Sequence, residues 1–422
     1  MIRLAPIAPV LLGVLIAQVA LGIMTPLIPL LLLHQGVATE TIGVVASAYF
    51  LGFLTGTQTV QRIVAAVGHI RAFAVFAACG ADAALLLLLT GNPWSWAALR
   101  FLIGFAMAGL FLVAESWLND RATKTTRGRV FGAYLVVSWG GSALGPFALN
   151  VVAADRVLFA WVAFAFTTAL LPMALTHQSN PEIGRRERFS LLRLFRASPL
   201  GVVACTTSGL VNSSFYALTP VYLRAHGHPA GDVSLFISAA MLAALLVQFP
   251  VGQISDAFGR RPVTLAALIL AMIAAATLGW AGRHSFPALL ALGAIYAGLT
   301  APLYGLGAGQ TNDNIPREEF VGASGGLLFA WALGSSLGPT LAATTMAHLG
   351  PSGLFTFLAT VLFAVAGFTV TRMALRAAVP LLHQTGYVPT PAAPANVAEL
   401  DPRTASNGVV QPATARSGSA QG

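Results

Sequence analysis

The sequence predicts an all-α, polytopic membrane protein with twelve transmembrane helices in two pseudo-symmetric six-helix bundles. Three observations predict this class. The first is composition. Of 422 residues, 56% are hydrophobic and only 9% charged, and mean hydropathy is +0.77, where a soluble domain carries about 25% charged residues. No aqueous core can hide that much apolar surface, so lipid serves as solvent. The second is spacing: apolar runs of the ~20 residues needed to cross hydrocarbon recur between short connections containing Gly, Pro, Asn, Asp and His, which turn or end helices. The third is an internal repeat at a shift of 191–193 residues.

The spans follow in chain order. The run 7–33 is longer than the apolar core of a signal peptide and has no evident cleavage site, so it is expected to be kept as the first span. Runs 41–61, 72–90, 95–117, 130–152 and 157–176 complete a first unit over residues 1–176. Residues 177–198 read as a charged cytoplasmic linker. The second unit, 199–376, holds 199–223, 233–254, 263–282, 287–309, 321–347 and 352–374. Helices are required throughout, because an unpaired backbone group in hydrocarbon costs several kcal/mol. Residues 377–422 are rich in Pro, Ala, Ser and Thr, lack periodicity and read as a disordered cytoplasmic tail.

Charge orients the bundle. With an even number of spans both termini share a face, and 19 of the 23 Lys and Arg residues fall on that face. Only Arg156, Arg224 and Arg283 fall on the other, and Arg100 lies within a span. This bias predicts cytoplasmic termini. The net charge of +9 is therefore orientation charge rather than a nucleic-acid surface, since the arginines are scattered between apolar runs. Cys79 and Cys205 sit singly in apolar runs and read as small core residues.

The repeat is specific. A shift of 191 places Pro29 on Pro220, Gly36 on Gly227 and Gly68 on Gly259. A shift of 193 places Gly132, Gly141, Ser142, Leu144, Gly145 and Pro146 on Gly325, Gly334, Ser335, Leu337, Gly338 and Pro339. Two parallel six-helix units related by an axis along the membrane normal account for this pattern.

Between the eighth and ninth spans lies Gly252-Gln-Ile-Ser-Asp256-Ala-Phe-Gly259-Arg260-Arg261. This loop resembles the cytoplasmic signature Gly-x-x-x-Asp-x-x-Gly-Arg-Arg of the Major Facilitator Superfamily. Asp256 can accept hydrogen bonds at a helix end and Gly259 permits the tight turn. Arg260 and Arg261 are expected to face water and anionic lipid. In the first half Gln61, Ala65, Val67, Gly68, His69 and Arg71 occupy the corresponding places, and the Asp is missing. Arg100-Phe-Leu-Ile-Gly104 resembles the superfamily's Arg-x-x-x-Gly element, which implies proton coupling. Gly141-Ser-Ala-Leu-Gly145-Pro146 resembles its antiporter element, although Phe147 and Ala148 stand where two further glycines are usual. The run from Gly43 to Phe50, with Glu115-Ser116 and Arg127-Gly-Arg129, is most similar to the YcaD-type subgroup of bacterial permeases.

Ionisable groups inside spans need a partner or a wet cavity. Arg100 is a candidate anion or proton-coupling group; the alternative is an Arg reaching for the interface. Asp82, in the third span, is a candidate proton carrier, or a static partner of Arg100. Glu115, with Arg127 and Arg129, is a candidate gate cluster, against a plain capping or surface pair of little energetic weight. Gly252, Asp256, Gly259, Arg260, Arg261, Gly145, Pro146, Gly338 and Pro339 complete the predicted gating set. The resemblance implies that spans one, four, seven and ten line a cavity. Gln18 and Thr25 on span one, Asn212, Tyr216 and Thr219 on span seven, and Tyr296, Thr300 and Tyr304 on span ten each share a helical face. With Arg100 they are the predicted substrate contacts, against ordinary helix–helix hydrogen bonding. Trp139 joins them, and Trp331 is a further possibility against packing; Trp94, Trp96 and Trp280 read as interface anchors.

There is no Gly-x-x-x-x-Gly-Lys-Ser/Thr phosphate loop and no soluble catalytic unit, so neither ATP hydrolysis by that route nor enzyme activity is expected. No cofactor or metal is expected; His226 and His228 read as solvated loop residues. The expected partners are a small-molecule substrate, protons and membrane lipid, for a monomer. The expected function is secondary active, proton-coupled transport of a small organic solute across the bacterial inner membrane by alternating access. A non-transporting sensor or scaffold on the same fold is the alternative reading.

Overall fold

The computed structural model describes residues 7–123, 126–152, 155–175, 190–281, 285–316, 319–375, 379–381, 384, 386 and 387. Their regular structure is helical. α1 (Ala8–His34), α2 (Thr39–Val67), α3 (His69–Leu89) and α4 (Pro93–Arg121) are single rods. α5 (Arg127–Leu144), a 3₁₀ turn at Gly145–Phe147 and α6 (Ala148–Val151) form the fifth, and α7 (Leu158–Ala174) the sixth. After the short α8 (Leu191–Ala197) come α9 (Pro199–Ala225), α10 (Ala230–Phe258) and α11 (Arg260–Ala281). α12 (Phe286–Thr300) and α13 (Leu303–Asn312) share the tenth rod, broken before Pro302, and α14 (Phe320–Leu349) and α15 (Gly353–Leu375) close the chain of helices.

Every predicted span falls on one of these rods. Nine described rods are long and apolar enough to cross a membrane unaided, and a tenth if α8 and α9 count as one bent span. α7 is shorter, at 17 residues, and α2 carries Thr55, Thr57, Gln58, Thr59, Gln61 and Arg62 in its second half. Phe164, Leu246, Leu270 and Phe363 are exposed on the outside of the bundle, where lipid replaces water as their solvent.

The repeat is visible in the backbone. Among the described residues five glycines have positive φ: Gly36 (72°), Gly68 (84°), Gly227 (86°), Gly259 (91°) and Gly350 (78°). The first four are the two pairs set 191 residues apart. They end α1, α2, α9 and α10, where a left-handed residue costs Gly least. Packing repeats as well. A Cβ at Gly141 would lie 2.7 Å from the Leu15 carbonyl, and one at Gly145 2.5 Å from that of Val19. A Cβ at Gly334 or Gly338 would overlap the Thr206 or Leu210 carbonyl. Thus α5 lies against α1 as α14 lies against α9, backbone on backbone, through small residues. The prolines differ: Pro146 sits in the 3₁₀ turn, whereas Pro339 is carried inside an unbroken α14.

The halves meet along α2–α14 and along α10 with α5 and α6. Near the face opposite the arginine-rich loops, the Ser47 hydroxyl contacts the Thr340 hydroxyl at 2.8 Å and accepts from the Thr340 N–H at 3.2 Å. Near the same face, at the second seam between the halves, Ser234 donates to the Asn150 side chain at 3.0 Å.

One expectation is corrected here, for Trp96, and two segments gain detail. The end of the charged linker is helical: α8 buries Leu194 and meets α9 at a bend of 119°; Arg193 there pairs with Glu319. Trp96 is no interface anchor; it is buried and its indole N–H donates to the Thr90 carbonyl at 3.0 Å. Within the tail, residues 379–381, 384, 386 and 387 are placed against the signature loop. Arg185, Arg186 and Arg188 lie outside the described residues.

Candidate functional site

Two adjacent chambers that share wall residues lie between the halves. The larger, of about 260 Å³, occupies the arginine-rich half and is walled by Gln18, Thr25, Phe50, Phe111, Tyr134, Ser138, Trp139, Ser142, Ser208, Asn212, Ser213, Tyr216, Met241, Gln248, Ala301, Tyr304 and Trp331. The smaller, of about 150 Å³, lies toward the opposite face, with Met24, Ile28, Pro29, Tyr49 and Arg100 among its walls. Thr25, Phe50, Ser142, Ser213 and Tyr216 border both. Among the described residues no Asp or Glu borders either. A mostly apolar, aromatic hollow with a few placed polar groups is the usual form of a small-molecule site.

Seven of the ten predicted contacts therefore reach a chamber: Gln18, Thr25, Arg100, Trp139, Asn212, Tyr216 and Tyr304. Trp331 reaches it too. Thr219, Tyr296 and Thr300 do not. The Thr219 hydroxyl is buried and donates to the Phe215 carbonyl at 2.6 Å. Tyr296 is buried with its ring 4.7 Å from that of Phe215. Thr300 donates to the Asn212 side chain at 2.8 Å, and Asn212 donates to the Thr300 carbonyl at 3.3 Å. Tyr296 and Thr300 join α9 to α12 instead of facing the hollow, and Thr219 bonds back within α9. A shared helical face identified polar stripes but could not tell a cavity from a neighbouring helix. The walls also come from spans two, five, eight and eleven, which the resemblance did not supply: Phe50, Tyr134, Ser138, Gln248 and Trp331 are examples. The aromatic pair Tyr49-Phe50 was the available signal.

Arg100 owes its position to Gly104. A Cβ at Gly104 would overlap the Tyr49 carbonyl, and one at Gly52 the Phe101 carbonyl, so α4 and α2 touch backbone to backbone. One turn earlier on α4, the Arg100 guanidinium then sits 4.6 Å from the centre of the Tyr49 ring, a cation–π distance. Asp82 does not join it: Asp82 is on the exposed face of α3. The two do not pair in this structure, where Arg100 borders the smaller chamber and Asp82 does not.

Glu115 is fully buried, and Tyr134 donates to its Oε1 at 2.7 Å. It is thus inside the bundle, and the surface-pair alternative falls. Arg129 is exposed and Arg121 pairs with Asp120 at 3.3 Å; the Arg127 side chain lies outside the described residues.

The signature loop departs most from expectation. Arg260 and Arg261 do not face water; they are 1% and 8% exposed. Arg260 Nε donates to Asp313 Oδ2 at 2.6 Å, both side chains being buried. A charge can be buried when a hydrogen-bonded counter-charge comes with it, and Asp313, at the end of α13, was not singled out in the sequence. The guanidinium rests on Gly309, which leaves room for it. Asp256 is exposed and accepts the Tyr387 N–H with both carboxylate oxygens, at 2.8 and 3.0 Å. The Tyr387 ring fills the space that a Cβ at Gly252 would take, and its hydroxyl lies 2.6 Å from one at Gly305. The tail segment thereby bridges α10 and α13.

The family model described as Major Facilitator Superfamily matches residues 10–244 and 224–400. The chain belongs to the Major Facilitator Superfamily. Relatives include an uncharacterized MFS-type transporter, YcaD, of Escherichia coli O45:K1, 30% identical over 92% of this chain and 98% of that one. The protein of the same name from Escherichia fergusonii is 30% identical over 85% and 93%. Among solved structures, the nucleoside transporter NupG superposes with a TM-score of 0.75 at 12% identity, covering 86% of this chain and 99% of that one. A bacterial homologue of the human lysosomal transporter Spinster, in an inward-facing and unoccupied conformation, gives 0.69 at 13% identity over 88% and 95%. Superfamily membership and these folds make the protein a multi-pass membrane transporter rather than an enzyme.

Proposed function

We propose that the protein is a secondary active, proton-coupled transporter of a small organic solute in the bacterial inner membrane, with its arginine-rich face and both termini in the cytoplasm. The observation that carries this reading is the position of the chambers. They lie where two repeated halves meet, with walls from spans of both, so rocking the halves would open them to one face and then the other. Small-residue contacts between α1 and α5 and between α9 and α14 keep each half rigid as it moves. Glu115 is the proposed proton carrier, because it is a carboxylate buried beside Tyr134, a wall of the larger chamber. Asp82 is not retained in that role.

The test requires no known substrate. Spin labels on the His34 and His226 turns, one in each half, should report two distance populations in lipid. Their ratio should shift when pH is changed, and Glu115→Gln should remove that shift. One fixed distance at every pH would refute alternating access and favour a non-transporting sensor or scaffold.

A further inference from the structure

We propose that the smaller chamber is an anion subsite built on Arg100, so that the solute is an amphipathic organic anion carrying a carboxylate. This rests on the transporter reading and narrows it to a substrate class. Among the described residues Arg100 has no hydrogen-bond acceptor and no ion-pair partner, and its Nε and Nη1 are buried. Its guanidinium lies over the face of the Tyr49 ring. A ring face attracts a cation but offers no oxygen or nitrogen acceptor, so the buried Nε and Nη1 donors of the guanidinium fork are left without one. The guanidinium does not reach for the membrane face; the approach of α4 to α2 at Gly104 holds it over Tyr49.

Among the described residues no carboxylate stands beside it: neither chamber has an acidic wall residue, and Asp82 is exposed on α3. A positive charge kept in a low-dielectric hollow without a counter-charge is costly, and it selects a ligand that brings one. The fork matches the two oxygens of a carboxylate. The Tyr216 hydroxyl, buried at the junction of both chambers and also without a partner, offers a further donor. Beyond that junction the larger chamber presents Trp139, Tyr304 and Trp331, surfaces suited to an apolar or aromatic body. One solute can therefore place its charge at Arg100 and its body across the junction.

The purified full-length protein in detergent would be heated with 2-naphthoate, octanoate, neutral 2-naphthamide or chloride. A ligand that binds the folded state raises the unfolding midpoint. The organic acids should raise it, the amide should not, and Arg100→Gln should weaken the response to the acids about tenfold or more in concentration. If that variant does not fold, phenylglyoxal labelling of wild-type Arg100, mapped by mass spectrometry, should be blocked by 2-naphthoate and not by 2-naphthamide. An equal response to acid and amide would overturn the proposal. So would a response to chloride alone, stabilisation by neither acid, or Arg100→Gln responding as wild type. The spin-label distances involve no anion, so two distance populations without acid binding would sink this inference and leave the transporter reading standing.

Discussion

A single buried charge shows how this protein spends its few ionisable residues. Arg260 and Asp313 sit together at the end of α13, 1% and 2% exposed in their side chains. Removing one partner leaves the other charged and buried, so Asp313→Asn or Arg260→Ala should destabilise the protein by about 3–5 kcal/mol. The detergent-denaturation midpoint measures this. Replacing both by apolar residues together should cost less than either single change, because no orphan charge remains. Gly104 offers a second test. Gly104→Leu must push α4 off the Tyr49 carbonyl, and overpacking of this kind costs about 1–3 kcal/mol. The expected result is lower thermal stability and loss of the Arg100–Tyr49 contact, read as faster phenylglyoxal labelling of Arg100; unchanged stability and labelling would show that the close approach is not needed.

The elements differ from ideal rods at a few places, and each has a local cause. α12 and α13 part before Pro302, and the fifth rod tightens into a 3₁₀ turn at Pro146; proline removes a donor and crowds the preceding turn, although α14 carries Pro339 without a break. The tail is an element of another kind. Gln384 folds the segment on itself by donating to the Val379 carbonyl at 2.8 Å, and Tyr387 then seats between α10 and α13 with its N–H on Asp256. Tyr387→Ala, or deletion of residues 376–422, should raise amide hydrogen exchange across 252–261, since exchange follows local opening. Exchange indistinguishable from wild type would mean the segment does not hold the loop.

At the scale of the whole molecule, two interfaces hold the halves together near the face opposite the arginines. Ser47 and Thr340 approach to 2.8 Å between hydroxyl oxygens, so short side chains at these two positions meet across the seam. The pair Ser47→Cys and Thr340→Cys should therefore oxidise to a cross-link between the halves. With the link formed, the two spin-label distances should collapse to one, and a reductant should restore both. A cross-linked protein that still shows both distances would mean that the halves do not separate along α2 and α14.

The sequence by itself determined the solvent, the spans and the repeat. Hydropathy and breaker residues act over about 20 neighbours, and four of the glycines that carry the repeat are the ones whose φ must be positive. It also made the signature loop and the polar stripes of spans one, seven and ten legible. Only the tertiary structure decided what those stripes face. Asn212 and Tyr216 reach the hollow, while Thr300 and Thr219 are turned to helices, because a helix's rotation is set by packing against partners distant in sequence. For the same reason Arg260 was expected in water and lies buried: its partner Asp313 is 53 residues away along the chain and adjacent only once α11 and α13 have met.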